Sequence, residues 1–566
     1  MKKIILLSLL FSLWGFALPN AIATQIRNSG LASKDVSIYI KEVGQGGKVL
    51  VSHNASKNRS PASVIKVLTT YASLVKLGFN YRFETRFYYT GHIKRGVLHG
   101  DLIVKGFGDP SLRESHLKSI VQKVRNKGIR QIKGNIVIDR SYFKVGSKNT
   151  SGFDKNTYSA YNAMPDAMMF NERVSTICIT PKKHSAYRKY NDKSYQVINQ
   201  LQHVNKPCKG RYSWPGVKVD NSQSTPRVFL KGKISKKCGK RNVSKVISKP
   251  YKTFYYAFKA KLNSQGIKVA GTLKVKKVPR NAKKLFTHYS ATLEKIIAKT
   301  AKKSNNLYAR HLLLVLGAKV YGAPATVQKG RDAVAYILKR KGALERGSLM
   351  IDNGSGLSRI SRLSAKLLAS MYDNAYRHYG KRWMSTLSIA GIDGTIKRRF
   401  QGSVVRKRAW MKTGTLRHVK NIGGYVKDKK GKLYTVVILV NSPKTRYRAA
   451  KLQNDIIKWL VQGGLQGRSA LIESQPKSKI NIYKKQNTEK QNLKNKKHFY
   501  IQVASFKKMP HLSYISKIKD LGLQYTIRHN NNYKVLIGAY RHKASAKRAL
   551  HVIKKRLSAG AFIVEI

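Results

Sequence analysis

Ser60-Pro61-Ala62-Ser63-Val64-Ile65-Lys66-Val67-Leu68-Thr69-Thr70-Tyr71 opens the first long apolar helix of the chain. Ser60 supplies an N-cap and Pro61 a first-turn residue that needs no N–H partner. Val64, Val67, Leu68, Tyr71, Leu74 and Val75 form one stripe at helical spacing, and Gly78 ends it. Ser63 and Lys66 lie one turn apart and so face the same way, with Ser63 at the end where free N–H groups favour negative charge. A serine hydroxyl becomes a nucleophile when a base takes its proton, and a lysine can be that base if desolvation or neighbouring cations lower its pKa. The same spacing recurs at Ser115 and Lys118 and at Ser516 and Lys519. The pair therefore acquires meaning only from companions.

Two companions stand further along the chain. Ser304-Asn305-Asn306 sits at the start of a later helical pattern, and Lys412-Thr413-Gly414-Thr415 follows Ala409-Trp410-Met411 just before two strong strand candidates, Asn421–Val426 and Leu433–Val440. A Lys and a Thr on an edge strand can hold a substrate carboxylate, and Gly414 lets that strand approach the substrate closely.

Around these strings the chain divides into several parts. Its 566 residues, 42% apolar with Lys+Arg 113 against Asp+Glu 24, exclude wholesale disorder and exceed one ordinary domain. Met1-Lys2-Lys3, an apolar run from Ile4 to Leu18 and small residues at Ala21 and Ala23 have the form of a secretory signal peptide over residues 1–23, and the run is too short to span a bilayer. Residues 24–91 and 286–465 carry a hairpin, helices at Thr292–Lys302, Leu307–Leu316, Arg331–Arg340 and Ser364–Tyr376, the two strands above, and a last helix over Arg446–Val461. Residues 92–285 between them read as short strands broken by Gly, Pro and Asn, a β-rich insertion. Residues 466–497 collapse to Lys, Asn, Gln and Ser, a linker. Residues 498–566 follow the order β-α-β-β-α-β of a small ferredoxin-like module, with its first helix striped by Leu512, Ile515, Ile518 and Leu521.

Cys178, Cys208 and Cys238, with no C-x-x-C pair, provide no zinc site and one disulfide at most, whose partners the sequence leaves open. The net charge of +89 would suggest nucleic acid for a cytoplasmic protein. For an exported one the available polyanions are wall peptides, lipid phosphates and surface polysaccharides, and a general lysine bias explains the charge equally well.

Taken together, Ser-x-x-Lys on the first long helix, Ser-x-Asn at a later helix start and Lys-Thr-Gly on a strand form the signature of penicillin-interacting serine enzymes. Residues about 30–465 resemble the class C low-molecular-mass penicillin-binding proteins, the D-alanyl-D-alanine carboxypeptidases and endopeptidases. Gly106-Phe107-Gly108-Asp109-Pro110, Asp352-Asn353-Gly354-Ser355-Gly356-Leu357-Ser358-Arg359 and Ala390-Gly391-Ile392-Asp393-Gly394-Thr395 fit the same family. The separation of 241 residues from Ser63 to Ser304 accommodates the large insertion of that class, which a compact β-lactamase lacks. Asn305, where aspartate is common, and Phe107, where another glycine is frequent, depart from the pattern.

The resemblance implies a multidomain α/β fold, a penicillin-binding transpeptidase/β-lactamase-like domain with the β-rich stretch inserted. It also implies acyl-enzyme chemistry with no cofactor or metal. In that scheme Ser63 attacks, Lys66 is the base, and Ser304 relays the proton. Asn306 holds the substrate amide, Lys412 and Thr413 bind the terminal carboxylate, and the N–H groups of Ser63 and Thr415, beside Gly414, form the oxyanion hole. Stem peptides and glycan strands of peptidoglycan become the expected partners, with β-lactams as covalent inhibitors, no nucleic acid, and the periplasm as the location. The oligomeric state stays open. The C-terminal module is similar to the SPOR domain through Tyr500-Ile501-Gln502-Val503-Ala504-Ser505-Phe506 and Tyr533-Lys534-Val535-Leu536-Ile537-Gly538-Ala539-Tyr540, and Gln502 and Tyr533 are its expected glycan contacts. The rival functions are a wall-binding scaffold without activity and a β-lactamase.

Overall fold

In the computed structural model the described residues are 18–464, apart from 45, 147, 149 and 345–348, and 499–565, apart from 507–509, 511–513, 515–517, 519–522, 524 and 541. The expected linker, residues 1–17 of the expected signal, and most of the stripe through Leu512, Ile515 and Leu521 lie outside them.

The larger body is organised by a six-stranded antiparallel sheet in the order Ser388–Ile389, Ala409–Leu416, Val419–Lys427, Leu433–Asn441, Val36–Glu42, Val49–His53. Its central strand reads as an almost continuous apolar run because both faces are covered. Val436, Ile438 and Val440 enter one core with the helices Asn20–Asn28 and Arg448–Val461. Val437 and Leu439, pointing the other way, join Leu68, Tyr71, Leu368 and Tyr372 of the helices Lys66–Leu77 and Ala365–Met384. The four helices expected between 292 and 376 are present as Leu293–Lys302, Asn306–Tyr321, Val327–Arg340 and Ala365–Met384.

The helix Asn20–Asn28 runs through the expected cleavage point at Ala23. Ile22 on it is fully buried, and removing one such side chain forfeits about 1.5–3 kcal/mol. A cut after Ala23 therefore conflicts with the packing.

The insertion is less purely β than its sequence suggests. A five-stranded sheet in the order Leu273–Val275, Ile136–Asp139, Leu102–Gly106, Arg82–Tyr89, Lys283–Thr292 packs against two helices, Leu117–Asn126 and Pro250–Ser264. Because Arg82–Tyr89 and Lys283–Thr292 pair with each other, the inserted sheet begins before residue 92 and ends after 285. Beyond it lies a lobe of two three-stranded sheets around Ile177, Ile179, Val228, Leu230 and Ile234. Cys208 and Cys238 form a disulfide in this lobe, and Cys178 is free.

The C-terminal module is a separate compact unit. Its sheet has the order Tyr525–Asn530, Asn532–Tyr540, Phe499–Phe506, Phe562–Glu565. Ile501, Val503, Val535 and Ile537 pack with Ile553 of the helix Lys543–Arg556. Among the described residues no helix is long and apolar enough to cross a membrane.

Candidate active site

The turn that carries Ser63 is held from three sides. Ser63 lies in a 3-10 turn, Ala62–Ile65, that runs straight into the helix Lys66–Leu77. Ala62 before it adopts a left-handed conformation (φ +47°), which a residue with a Cβ keeps only when its surroundings impose it. Those surroundings are the sheet. Asn421 Nδ2 donates to the carbonyls of Ser60 (2.8 Å) and Pro61 (3.0 Å), and Asn441 Oδ1 accepts from Ser60 N (2.7 Å). Gly414 packs so closely that an added Cβ would stand 2.7 Å from Pro61 O and 3.0 Å from Ser63 N. Gly356 (φ +77°) presses from the other side, where a Cβ would meet Ala62 O at 1.9 Å.

Lys66 is completely buried. Its Nζ donates to Ser63 Oγ (2.8 Å), to Asn306 Oδ1 (2.6 Å) and to the Ser355 carbonyl. Burial, and then the charges of Lys412 and Arg310, push its pKa well below the ordinary lysine value. The hydroxyl of Ser63 thus faces a lysine for which the neutral, proton-accepting form is favoured. Asn306 begins the helix Asn306–Tyr321 and donates its Nδ2 to the Tyr161 carbonyl (3.0 Å) of the insertion. Its amide is therefore oriented, with the oxygen toward Lys66.

A second buried lysine stands across the groove. Lys412 Nζ donates to Ser304 Oγ (3.0 Å) and to the Thr413 carbonyl (2.6 Å), and burial brings its pKa down to about 7. The strand Ala409–Leu416 is an edge only beyond Met411, since Ser388–Ile389 pairs with Trp410 and Met411. Thr413 Oγ1 donates to Thr395 Oγ1 (2.8 Å), the last residue of Ala390–Thr395. Ser304 has φ +53°, and Asn305 caps the next helix by accepting from Tyr308 N (3.1 Å). Ser63, Ser304, Asn306 and Thr415 all line one cavity of about 530 Å³.

The same cavity is lined by residues that sequence reading missed. Asp154 and Tyr161 come from the insertion, Arg359 ends the string Asp352–Arg359, and Arg417 follows the Lys-Thr-Gly strand. Asp154 accepts from Tyr161 OH (2.7 Å) and Asn162 Nδ2 (2.9 Å), while the Arg359 guanidinium lies 4.9 Å over the Phe153 ring. Arg359 and Ser355 could have been found in their string. Asp154 carries no local signal.

The two expected glycan contacts do not share a face. Gln502 pairs opposite Leu536, whereas Tyr533 has the parity of Val535 and Ile537, which pack under the helix. The face of Gln502 instead carries Tyr500, with the Arg528 guanidinium 5.5 Å over its ring. Among the described residues no group of three or more His, Cys, Asp or Glu side chains could hold a metal ion.

Residues 18–462 match the D-Ala-D-Ala carboxypeptidase 3 (S13) family, and residues 495–565 match the SPOR domain. The D-alanyl-D-alanine carboxypeptidase DacB of Haemophilus influenzae is 28% identical over 459 residues, 78% of this chain and 92% of that protein. A D-alanyl-D-alanine carboxypeptidase of Actinomadura sp. is 25% identical over 403 residues, 68% of this chain and 74% of its own. The crystal structure of penicillin binding protein 4 from Haemophilus influenzae superposes with a TM-score of 0.66 at 24% identity, covering 78% of this chain and 99% of that one. A second crystal structure of the same protein is a complex with a β-lactam, at a TM-score of 0.64 and 23% identity, again over 78% of this chain and 99% of that one.

Proposed function

This chain belongs to the D-Ala-D-Ala carboxypeptidase 3 (S13) family of serine-type hydrolases and carries a C-terminal SPOR domain, and from that premise we propose that it trims peptidoglycan stem peptides and cleaves D-Ala crosslinks through an acyl-enzyme on Ser63. The observation that carries the reading is the 2.8 Å contact between Ser63 Oγ and the fully buried Lys66 Nζ.

Ser63 Oγ attacks the carbonyl carbon between the two D-alanines, and its proton passes to neutral Lys66. The N–H groups of Ser63 and Thr415 receive the developing oxyanion, and donors placed there in advance stabilise it without reorganisation. The C–N bond then breaks as Ser304, backed by Lys412, relays the proton to the departing amine. Water hydrolyses the ester, leaving a peptide carboxylate and free Ser63. Asn306 aligns the substrate amide, and Lys412 and Thr413 hold its terminal carboxylate. Asp154 on one wall, with Arg359 and Arg417 on others, suits a stem-peptide side chain that bears both an ammonium and a carboxylate. A β-lactam would acylate Ser63 by the same attack, as the complex of the Haemophilus protein suggests.

The C-terminal module holds the enzyme on glycan strands through the face of Tyr500, Gln502 and Arg528, which raises the local substrate concentration. The enzyme acts outside the cytoplasm, in the periplasm. Signal cleavage after Gly15-Phe16-Ala17, instead of after Ala23, keeps the helix Asn20–Asn28 whole, and the mass of the secreted protein tests this.

Incubating the full chain with purified wall fragments tests the reaction. Loss of one D-alanine per stem, and separation of crosslinked dimers, are expected from the native chain and neither from Ser63→Ala. Unchanged wall fragments would refute the reading.

A further inference from the structure

Three consecutive residues of the insertion, Asn171, Glu172 and Arg173, adopt left-handed conformations with φ of 48°, 53° and 59°. Residues with a Cβ hold such a run only where both ends are fixed. Here Asn171 N donates to Leu112 O (3.0 Å), Asn171 Oδ1 accepts from Glu114 N (3.0 Å), and Arg173 Nη1 donates to Met164 O (2.7 Å). The effect of this turn is to aim the Glu172 carboxylate out of the insertion and at the catalytic body.

Its partners there are specific. Oε2 accepts from Asn305 Nδ2 (2.9 Å) and Oε1 from Lys299 Nζ (2.6 Å), while Arg113, on the insertion itself, also donates to Oε1. Lys299 also donates to Tyr308 OH (3.0 Å). Both ends of the Asn305 amide are engaged by this arrangement, since its oxygen caps the helix at Tyr308 N (3.1 Å) while its nitrogen donates to Glu172. The residues on either side of it are Ser304, left-handed and bonded to Lys412, and Asn306, bonded to Lys66. Glu172 therefore touches none of the reacting groups and restrains the one residue that joins two of them.

We propose that Glu172 is a positioning residue for acyl transfer: from the insertion it fixes the Ser304-Asn305-Asn306 turn by accepting the Asn305 side-chain amide, and so requires an amide, not a carboxylate, at position 305. The inference rests on the assignment of Ser304 and Asn306 to the reaction. It also accounts for Asn305 in place of aspartate. Asp would cap the helix as well as Asn does, but it has no N–H to offer Glu172 and would set two carboxylates against each other.

The test uses the full chain and the rate of acylation by a fluorescent penicillin, with thermal unfolding measured alongside. Asn305→Asp and Glu172→Ala are each expected to slow acylation by about ten-fold or more, equivalent to about 1.4 kcal/mol in the barrier, with the larger change in kcat than in KM on a stem peptide. The double variant Glu172→Gln with Asn305→Asp exchanges donor and acceptor across the same contact, and is expected to recover most of the rate lost by Asn305→Asp alone. Unfolding of Asn305→Asp should stay near that of the native chain, because the cap survives. Native acylation by Asn305→Asp, or an equal deficit in the double variant, would overturn the proposal. Ser63→Ala keeps the two levels apart, since labelling that persists in it would defeat the catalytic assignment itself, whatever Glu172 does.

Discussion

The catalytic groove and the outer lobe of the insertion use the same side chain in opposite ways. In the groove, Lys66 and Lys412 are fully buried and each is hydrogen-bonded to a serine hydroxyl. In the lobe, Lys182, Lys236, Lys237 and Lys240 rim an open depression beside Cys238, exposed to solvent. A solvated ammonium keeps its proton and contributes little in any one pairing, whereas a desolvated one is driven toward the neutral form. Among the described lysines, burial therefore sets Lys66 and Lys412 apart from those on the surface, which contribute to the overall field.

The strongest way to break this contrast is to exchange lysines in the two places. Lys66→Met is expected to lower the acylation rate on the order of 10³-fold, in the range general-base removal produces, while Lys236→Ala with Lys240→Ala leaves it within about two-fold of native by the same criterion. Comparable losses from both would mean that the net charge, not the buried base, governs the reaction.

A smaller effect is expected from the backbone contact that shapes the groove. Gly414→Ala would place a methyl group 2.7 Å from Pro61 O, which forces the strand away from the nucleophile turn. The acylation rate should fall by about 10²-fold, the cost of a displacement near 1 Å, with the overall fold retained by circular dichroism.

The pH dependence sharpens the contrast further. In the proposed mechanism acylation needs neutral Lys66, so its rate should fall as pH drops through the depressed pKa of that group. Carboxylate binding in the same scheme needs charged Lys412, so KM for a peptide should rise as pH climbs above about 7. Stability has its own sign. Lys412 titrates near 7 in the folded chain and near 10.5 when unfolded, so between those values the unfolded chain holds the extra proton. Stability should therefore increase with pH across that window, with Lys412 contributing at most about 1.4 kcal/mol per pH unit, and Lys412→Met should lessen the slope in urea titrations while leaving the part that Lys66, lowered by the same burial, supplies.

How much of this could be read from the chain depended on how local each feature is. Ser63, Lys66, Ser304, Asn306 and Lys412 through Thr415 lie in short strings; Ser63, Ser304, Asn306 and Thr415 line one cavity, and Lys66 and Lys412 are hydrogen-bonded to its serines. Asp154, Glu172 and Asn421 reach the site through topology alone, from an insertion and from a neighbouring strand, so nothing adjacent in sequence marks them. The helix Leu117–Asn126 is legible in principle, since Leu117, Ile120, Val121 and Val124 repeat at helical spacing, but the short strands on either side of it mask that period. Tyr533 is expected beside Gln502, and the strand register instead gives it the parity of the core residues Val535 and Ile537.

The smallest catalytic effect is expected where the lobe is pinned. Replacing Cys208 and Cys238 by serine opens a bridge that spans a sequence separation of 30, and should cost about 2–4 kcal/mol of stability by the usual loop-closure range. Acylation of Ser63 should be unchanged. A loss of rate as large as that of Gly414→Ala would show that the lobe and the groove are mechanically joined.

The account turns on which atom is acylated. Full-length chain treated with benzylpenicillin, digested and mapped by mass spectrometry, should carry one penicilloyl group on the peptide that contains Ser63, and none after Ser63→Ala. An adduct on another residue, or no adduct in a folded sample, would contradict it.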